Sequence, residues 1–264
     1  MIYIPQRIKE IIGDQEYSQD EVGMSESTVL MFPEYVLKIQ KRTPETENER
    51  NMVAWLGDRL PLPQIPIYYV EDETAYTLMS RVPGKMLCEE AFMRSPESLI
   101  RAVAEGLRLL WSVDVSDCPY RVSRLDERLK AARENVESGM VDLENVEPET
   151  FGPNGFSNPE ELLTWLEQNR PQEDIVLTHG DFCLPNIFAD RDHISGFIDL
   201  GKMGPADRWQ DLAIVLRSLD HNAAGVFNDG NPYFRFEPRM LLTQLGMEMD
   251  EEKNRYYRLL DELF

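Results

Sequence analysis

The sequence predicts an α+β protein of two lobes, a small antiparallel-sheet lobe over 1–81 followed by a mainly helical lobe with a short hairpin over 82–264. Three observations carry that reading. Short runs of apolar and β-branched residues crowd the first third, the apolar period lengthens to the helical 3.6 beyond it, and the turn cluster Arg81-Val82-Pro83-Gly84 separates the two regimes. In the first lobe, 27–32 and 35–40 read as strands joined through Phe32-Pro33-Glu34-Tyr35, the sequence of a tight hairpin. Residues 44–60 read as a helix, with Pro44 in its first turn, acids at Glu45, Glu47 and Glu49, and an apolar stripe through Met52, Val53, Leu56 and Leu60. Strands follow over 65–70 and 75–80. In the second lobe, 96–113, 125–136, 159–169, 207–219, 238–245 and 250–264 read as helices. Residues 175–178, 187–189 and 194–198 read as strands, the last two paired about Asp190-Arg191-Asp192-His193.

The 264 residues carry 27 Lys and Arg against 48 Asp and Glu, a formal charge of −21. So acidic a chain repels a phosphate backbone, which argues against nucleic acid and makes a cationic partner the natural complement, although acidic surfaces also serve solubility alone. Hydrophobic content of 42% with 28% charged residues describes a globular protein. Cys88, Cys118 and Cys183 are odd in number and lack C-x-x-C spacing, so neither a disulfide framework nor a thiolate zinc site is expected. The longest uncharged stretch, 60–70, contains three prolines and is too short for a bilayer, and the first residues lack the apolar core of a signal peptide. The expectation is a cytoplasmic protein, monomeric or weakly dimeric, with no membrane partner.

Chemistry concentrates in Leu177-Thr178-His179-Gly180-Asp181-Phe182-Cys183-Leu184-Pro185-Asn186, where a loop between two apolar strands holds an Asp and an Asn five positions apart. With 189 opposite 194, the same register sets 186 opposite 197 and brings Asn186 and Asp199 to one open end of the hairpin. Two carboxylates and an amide oxygen form a hard-oxygen cluster suited to Mg²⁺ and phosphoryl transfer, although isolated Asp and Asn residues more often cap turns. The first lobe adds Lys38, inside an otherwise mostly apolar strand, and Glu49, on the apolar stripe of the following helix. Such a pair can hold nucleotide phosphates. Taken singly, Lys38 also reads as a snorkelling lysine and Glu49 as a first-turn acid.

The order Lys38, Glu49, His179-Gly180-Asp181-x4-Asn186 and Gly196-Phe197-Ile198-Asp199 resembles the kinase-like fold of antibiotic phosphotransferases. CLPN at 183–186, SGFIDLGKMGPADRWQDLA at 195–213, the acidic LENVEPE at 143–149 and the terminal LLDELF resemble the aminoglycoside 3′-phosphotransferases, or kanamycin kinases. The resemblance implies transfer of the γ-phosphoryl of ATP, with GTP open as a second donor, and Mg²⁺ as cofactor. It implies Asp181 as catalytic base, Asn186 and Asp199 as metal ligands, and Lys38 paired with Glu49 on the phosphates. Ser25, in Gly23-Met24-Ser25, falls in the phosphate-covering loop, and the backbones of Ser80 and Val82 on the adenine. For the cationic aminoglycoside it implies Glu144, Glu147, Asp261, Glu262 and the carboxylate of Phe264, with Lys202 and Arg217 near the reaction centre. His179 and Asp211 are expected to hold backbone. The Asp-x4-Asn cluster alone is equally compatible with a kinase of another small alcohol or aminosugar, and a nonreactive nucleotide-binding module remains a third reading.

Overall fold

The computed structural model describes residues 2–20, 27–153, 155–191 and 193–264. Helix α1 (Gln6–Ile12) follows Ile4, and Ile4, Ile8 and Ile12 recur every four residues, which gives this end of the chain one apolar face. That face covers a five-stranded antiparallel sheet of β1 (Ser18–Asp20), β2 (Thr28–Met31), β3 (Tyr35–Lys41), β4 (Ile67–Glu71) and β5 (Thr74–Ser80), in the order β1-β2-β3-β5-β4. Side-chain alternation assigns the two faces. Leu30, Leu37 and Leu78 are register neighbours buried under α1, whereas Lys38, opposite Val29 and Thr77, belongs to the other face of the central strand. Lys38 is therefore not an edge-strand lysine.

Helix α2 (Pro44–Leu56) starts at a reciprocal cap in which Thr46 N donates to Thr43 Oγ1 at 3.3 Å and Thr43 N to Thr46 Oγ1 at 3.0 Å. It ends four residues before the expected Leu60, because Gly57 turns to φ 53° and the chain tightens into a 3₁₀ turn over Gly57–Arg59. Met52, Leu56 and Leu60 join the larger apolar core that runs through the rest of the chain, so α2 is anchored there as well as beside the sheet.

Residues 81–84 carry the chain from β5 to β6 (Lys85–Met86), which pairs with β8 (Ile187–Asp190) and, beyond it, β9 (His193–Phe197). Around this small sheet lie α3 (Glu90–Met93), α4 (Pro96–Trp111), α5 (Leu125–Ser138), α6 (Pro159–Gln168), α7 (Arg208–Ala223), α8 (Arg239–Leu245) and α9 (Glu251–Asp261). Strand β7 (Ile175–Thr178) pairs with β10 (Gly204–Asp207), whose Gly-Pro-Ala-Asp sequence carries no strand signal and is extended only through that pairing. The β8–β9 hairpin corrects the expected register. Ala189 does face Ile194, but an irregularity between Phe188 and Ala189 shifts the rest by one, so that Ile187 faces Phe197. Asn186 O then accepts from Ile198 N at 3.0 Å, which sets Asn186 beside the residue preceding Asp199. Among the described residues no helix is long and apolar enough to cross a membrane.

Candidate active site

The loop after β7 is fixed from beneath. Gly180 has φ 84° and lies against the carbonyl of Lys202, leaving no room for a side chain. Asp211, fully buried in the first turn of α7, receives the backbone N–H of His179 at 2.7 Å and of Gly180 at 2.9 Å. Burial pushes its carboxyl up to about 7 against the lowering effect of those two donors. His179, also fully buried, bonds Ile198 O through Nε2 at 2.8 Å, while its Nδ1 accepts from Asp181 N at 3.3 Å. That pattern is satisfied by the neutral ring alone, and burial holds the imidazole below its ordinary range.

A stability signature follows. Because native His179 refuses the proton that the unfolded chain accepts, its contribution is present above the ordinary histidine value near 6.5 and is lost as pH falls below it. The stability advantage of the wild type over His179→Gln should therefore shrink between about pH 7 and 5 by about 1.4 kcal/mol per unit of depression. Urea midpoints across pH measure it. The Asp211 titration, which acts in the opposite sense, is common to both proteins, so a difference independent of pH would contradict a neutral His179.

Asn186 donates Nδ2 to the carbonyl and to Oδ2 of Asp181, both at 3.1 Å, which orients the Asp181 carboxylate. Asp199 occupies the left-handed region at φ 58°, ψ 56°, a cost borne at the residue whose carboxylate enters the cleft. Its Oδ1 is ion-paired with Lys38 Nζ. Glu49 accepts Leu200 N at 3.1 Å, and Asn48 Nδ2 donates to Gly201 O at 2.9 Å and Met203 O at 2.8 Å, so α2 and the turn after Asp199 are tied by side-chain to backbone bonds. Burial raises the Glu49 carboxyl, with the Lys38 charge opposing. Burial alone would lower Lys38, but Glu49 and Asp199 together hold it above its usual value. The expected direct Lys38–Glu49 pair is thus corrected: Lys38 is ion-paired with Asp199, and Glu49 acts on it only through space.

Lys38, Glu49, Asp181, Asp199 and Lys202 line one cleft of about 440 Å³. Ser80 and Val82 lie outside that lining, and the Ser80 N–H donates to Gln64 O at 2.8 Å. Ser25 lies outside the described residues.

The residues expected to receive an aminoglycoside form a second cluster. Arg217, from α7, is ion-paired with Asp261 and reaches Glu262 at 3.3 Å. Asp261 is held below the carboxylate range: burial would raise it, but Arg217, Lys202 and Arg128 together outweigh burial. Glu262 accepts Glu147 N at 3.0 Å, and the Glu147 carboxylate faces His221 at 3.3 Å and Arg258 at 3.8 Å. Glu147, Asp261 and Glu262, named for the cationic aminoglycoside, thus each have a basic partner within the fold. Glu144 is exposed on the acidic loop, its N–H donated to Asp142 at 2.9 Å. The ring of Phe264 lies under Arg128, at 3.9 Å, and Lys202, at 5.6 Å.

The sequence model described as the phosphotransferase enzyme family, APH, matches residues 16–233. An aminoglycoside 3′-phosphotransferase of Enterococcus faecalis is 35% identical over 99% of this chain and 98% of its own. The chain belongs to the aminoglycoside 3′-phosphotransferase family. Its fold agrees: an aminoglycoside 3′-phosphotransferase of type VIII superposes with a TM-score of 0.80 at 29% identity, covering 98% of this chain and 97% of that one. The aminoglycoside phosphotransferase APH(3″)-Id of Streptomyces rimosus, in complex with ADP and streptomycin, gives 0.77 at 26% identity, covering 97% and 95%.

In this phosphotransferase two buried charges escaped the sequence reading, Asp207, which is ion-paired with Lys253 at 2.6 Å, and Arg128. Arg128 sits on α5 three residues after Leu125 and four before Ala132, on the buried stripe that also holds Leu129 and Val136. Like Glu49, Arg128 is a charge on an apolar helical stripe and so is marked as inward-facing by its spacing.

Proposed function

We propose that this chain transfers the γ-phosphoryl of ATP, or of GTP as a second donor, to the 3′-hydroxyl of kanamycin- and neomycin-type aminoglycosides, and so confers resistance to them. The observation that carries the reading is the cleft in which Lys38, from the sheet, meets Asp199 beside Asp181, within a chain of this family. In this reading 1–81 supplies the nucleotide side and 82–264 the acceptor side, and the reaction runs in the cytoplasm, where ATP is made. The family relative bound to ADP and streptomycin supports nucleotide and aminoglycoside as the two partners.

The donor set fits a divalent cation. Both Nδ2 bonds of Asn186 go to Asp181, its amide oxygen has no protein donor among the described residues, and the Asp199 carboxylate is 48% exposed. Two hard oxygens leave room for water and phosphate, as Mg²⁺ prefers, and Mg²⁺ bound there supplies charge neutralisation on the nucleotide. Lys38 holds the phosphates while Glu49 keeps the ammonium charged and in place. Asp181, steadied by Asn186, takes the proton of the 3′-hydroxyl as its oxygen bonds to the γ-phosphorus. The bond to the β-phosphate oxygen breaks and ADP leaves. Lys202 offers a cation at the mouth of the same cleft. Glu144, Glu147, Asp261, Glu262 and Phe264 form the acceptor wall, where substrate ammonium groups share the Asp261 and Glu262 carboxylates with Arg217. The Val82 N–H remains the backbone donor for adenine.

With purified protein, ATP, Mg²⁺ and kanamycin, ADP release is expected to stop in excess EDTA and return when Mg²⁺ is restored. Turnover indifferent to chelation would contradict the metal assignment.

A further inference from the structure

Arg128 is 4% exposed, its Nε is buried without an acceptor, and no hydrogen bond is made by any of its five donors among the described residues. Guanidinium burial of this kind is costly unless charge and contact elsewhere compensate. The direct partners of Arg128 lie in one place, the turn over 261–264. Asp261 Oδ1 stands 3.9 Å from Arg128, and the guanidinium carbon is 3.9 Å from the centroid of the Phe264 ring. Seven residues further along the same helix, on the same face, Asn135 Nδ2 donates to Leu263 O at 2.9 Å. Helix α5 thus grips 261–264 at two points one heptad apart. The gripped turn is the one whose Glu262 receives the N–H of Glu147, so the acidic loop is ordered through it in turn. Asp181 and Glu45 of the cleft lie within range of the same guanidinium charge.

Resting on the proposed reaction, we infer that Arg128 is a positioning residue for the acceptor: it fixes the 261–264 turn, through Asp261 and Phe264, at the distance from Asp181 that a 3′-hydroxyl requires. It touches neither substrate. The nucleotide residues Lys38, Glu49 and Asp199 make no contact with it and are held by α2 and the sheet. A guanidinium serving only stability would affect both substrates alike once the protein is folded.

The test is steady-state kinetics of Arg128→Gln, Arg128→Lys, Phe264→Leu and the two doubles, with kanamycin and MgATP varied separately and folding checked by thermal melting. The expected result is a rise in kanamycin KM of about tenfold for Arg128→Gln with the ATP KM unchanged, and partial recovery in Arg128→Lys, which keeps the charge over the ring but not the planar stack. Combining either variant with Phe264→Leu should cost less than the sum of the two single changes, since both remove the contact between Arg128 and the ring. An unmoved kanamycin KM, equal rises in both KM values, or additive doubles would overturn the role of Arg128. If Arg128→Gln fails to fold, the Arg128→Lys cycle decides by the same criteria. Kanamycin-dependent ADP release by the wild type is the control: its absence sinks the reading of the reaction, whereas its presence beside unmoved variants sinks the positioning role alone.

Discussion

Asp181→Asn is expected to lower kcat on the order of 10²- to 10⁴-fold, the range associated with loss of a positioned general base, with both KM values nearly unchanged. The substitution keeps the shape of the side chain and removes its basicity. Asn186 already supplies two N–H contacts to this residue, so the amide at 181 can turn its oxygen toward Nδ2 and stay in place. The backbone at 181 is set independently, by the His179 ring and by the Asp211 bonds one and two residues earlier, so the loop should hold. Rapid-quench or coupled ADP assays at saturating substrates measure the effect. A folded variant with wild-type kcat would remove Asp181 from the chemistry.

Lys38→Met carries the second large effect, and its direction differs. Here nucleotide KM should rise and kcat fall, together on the order of 10²-fold in kcat/KM for ATP, the cost typical of deleting one preorganised charge at a reacting centre. The KM for kanamycin should remain, because the acceptor wall draws its cations from Arg217, Arg128 and Lys202. Stability should suffer as well. Glu49 is 3% exposed and Lys38 is its principal compensating charge, so the variant leaves a buried carboxylate that must either ionise unpaired or take up a proton. Adding Glu49→Gln to Lys38→Met should therefore recover melting temperature without recovering activity. Unchanged ATP kinetics in Lys38→Met would sever the sheet from the phosphates, and a melting temperature unmoved by the second change would deny the electrostatic link.

Much of this site was legible because it rests on two periodicities. Lys38 stood out as a charge inside an apolar strand, and Glu49 as an acid on an apolar helical stripe; both are inward-facing in the fold. The Asp181–Asn186–Asp199 cluster followed from hairpin parity, which was right in placing Asn186 and Asp199 at one end even though the register slips by one at Phe188. What parity could not supply was partnership across the chain. That Lys38 pairs with Asp199 rather than Glu49 depends on the left-handed turn at 199 and on Leu200 N taking the Glu49 carboxylate, neither of which has a local pattern. The same holds for Asp261 and Glu262, whose partners come from α7 and from the loop at Glu147, 44 and 115 positions away. Local signals also failed for β10, a Gly-Pro-Ala-Asp strand made by pairing alone, whereas α1 was missed despite its isoleucine spacing.

A formal charge of −21 makes a cationic partner the natural complement. In the fold, Arg217, Arg258, Arg128 and His221 face the carboxylates of Glu147, Asp261 and Glu262. In the proposed reaction a substrate ammonium bound there would share or displace an internal cation, so its binding should depend less on salt than binding to exposed charges.

Transfer to a 3′-hydroxyl of an aminoglycoside is decided by Mg²⁺- and ATP-dependent ADP release with kanamycin beside tobramycin, which lacks that hydroxyl. Turnover is expected on kanamycin and little on tobramycin. Equal turnover on both would show that another hydroxyl is the acceptor and contradict transfer to the 3′ position.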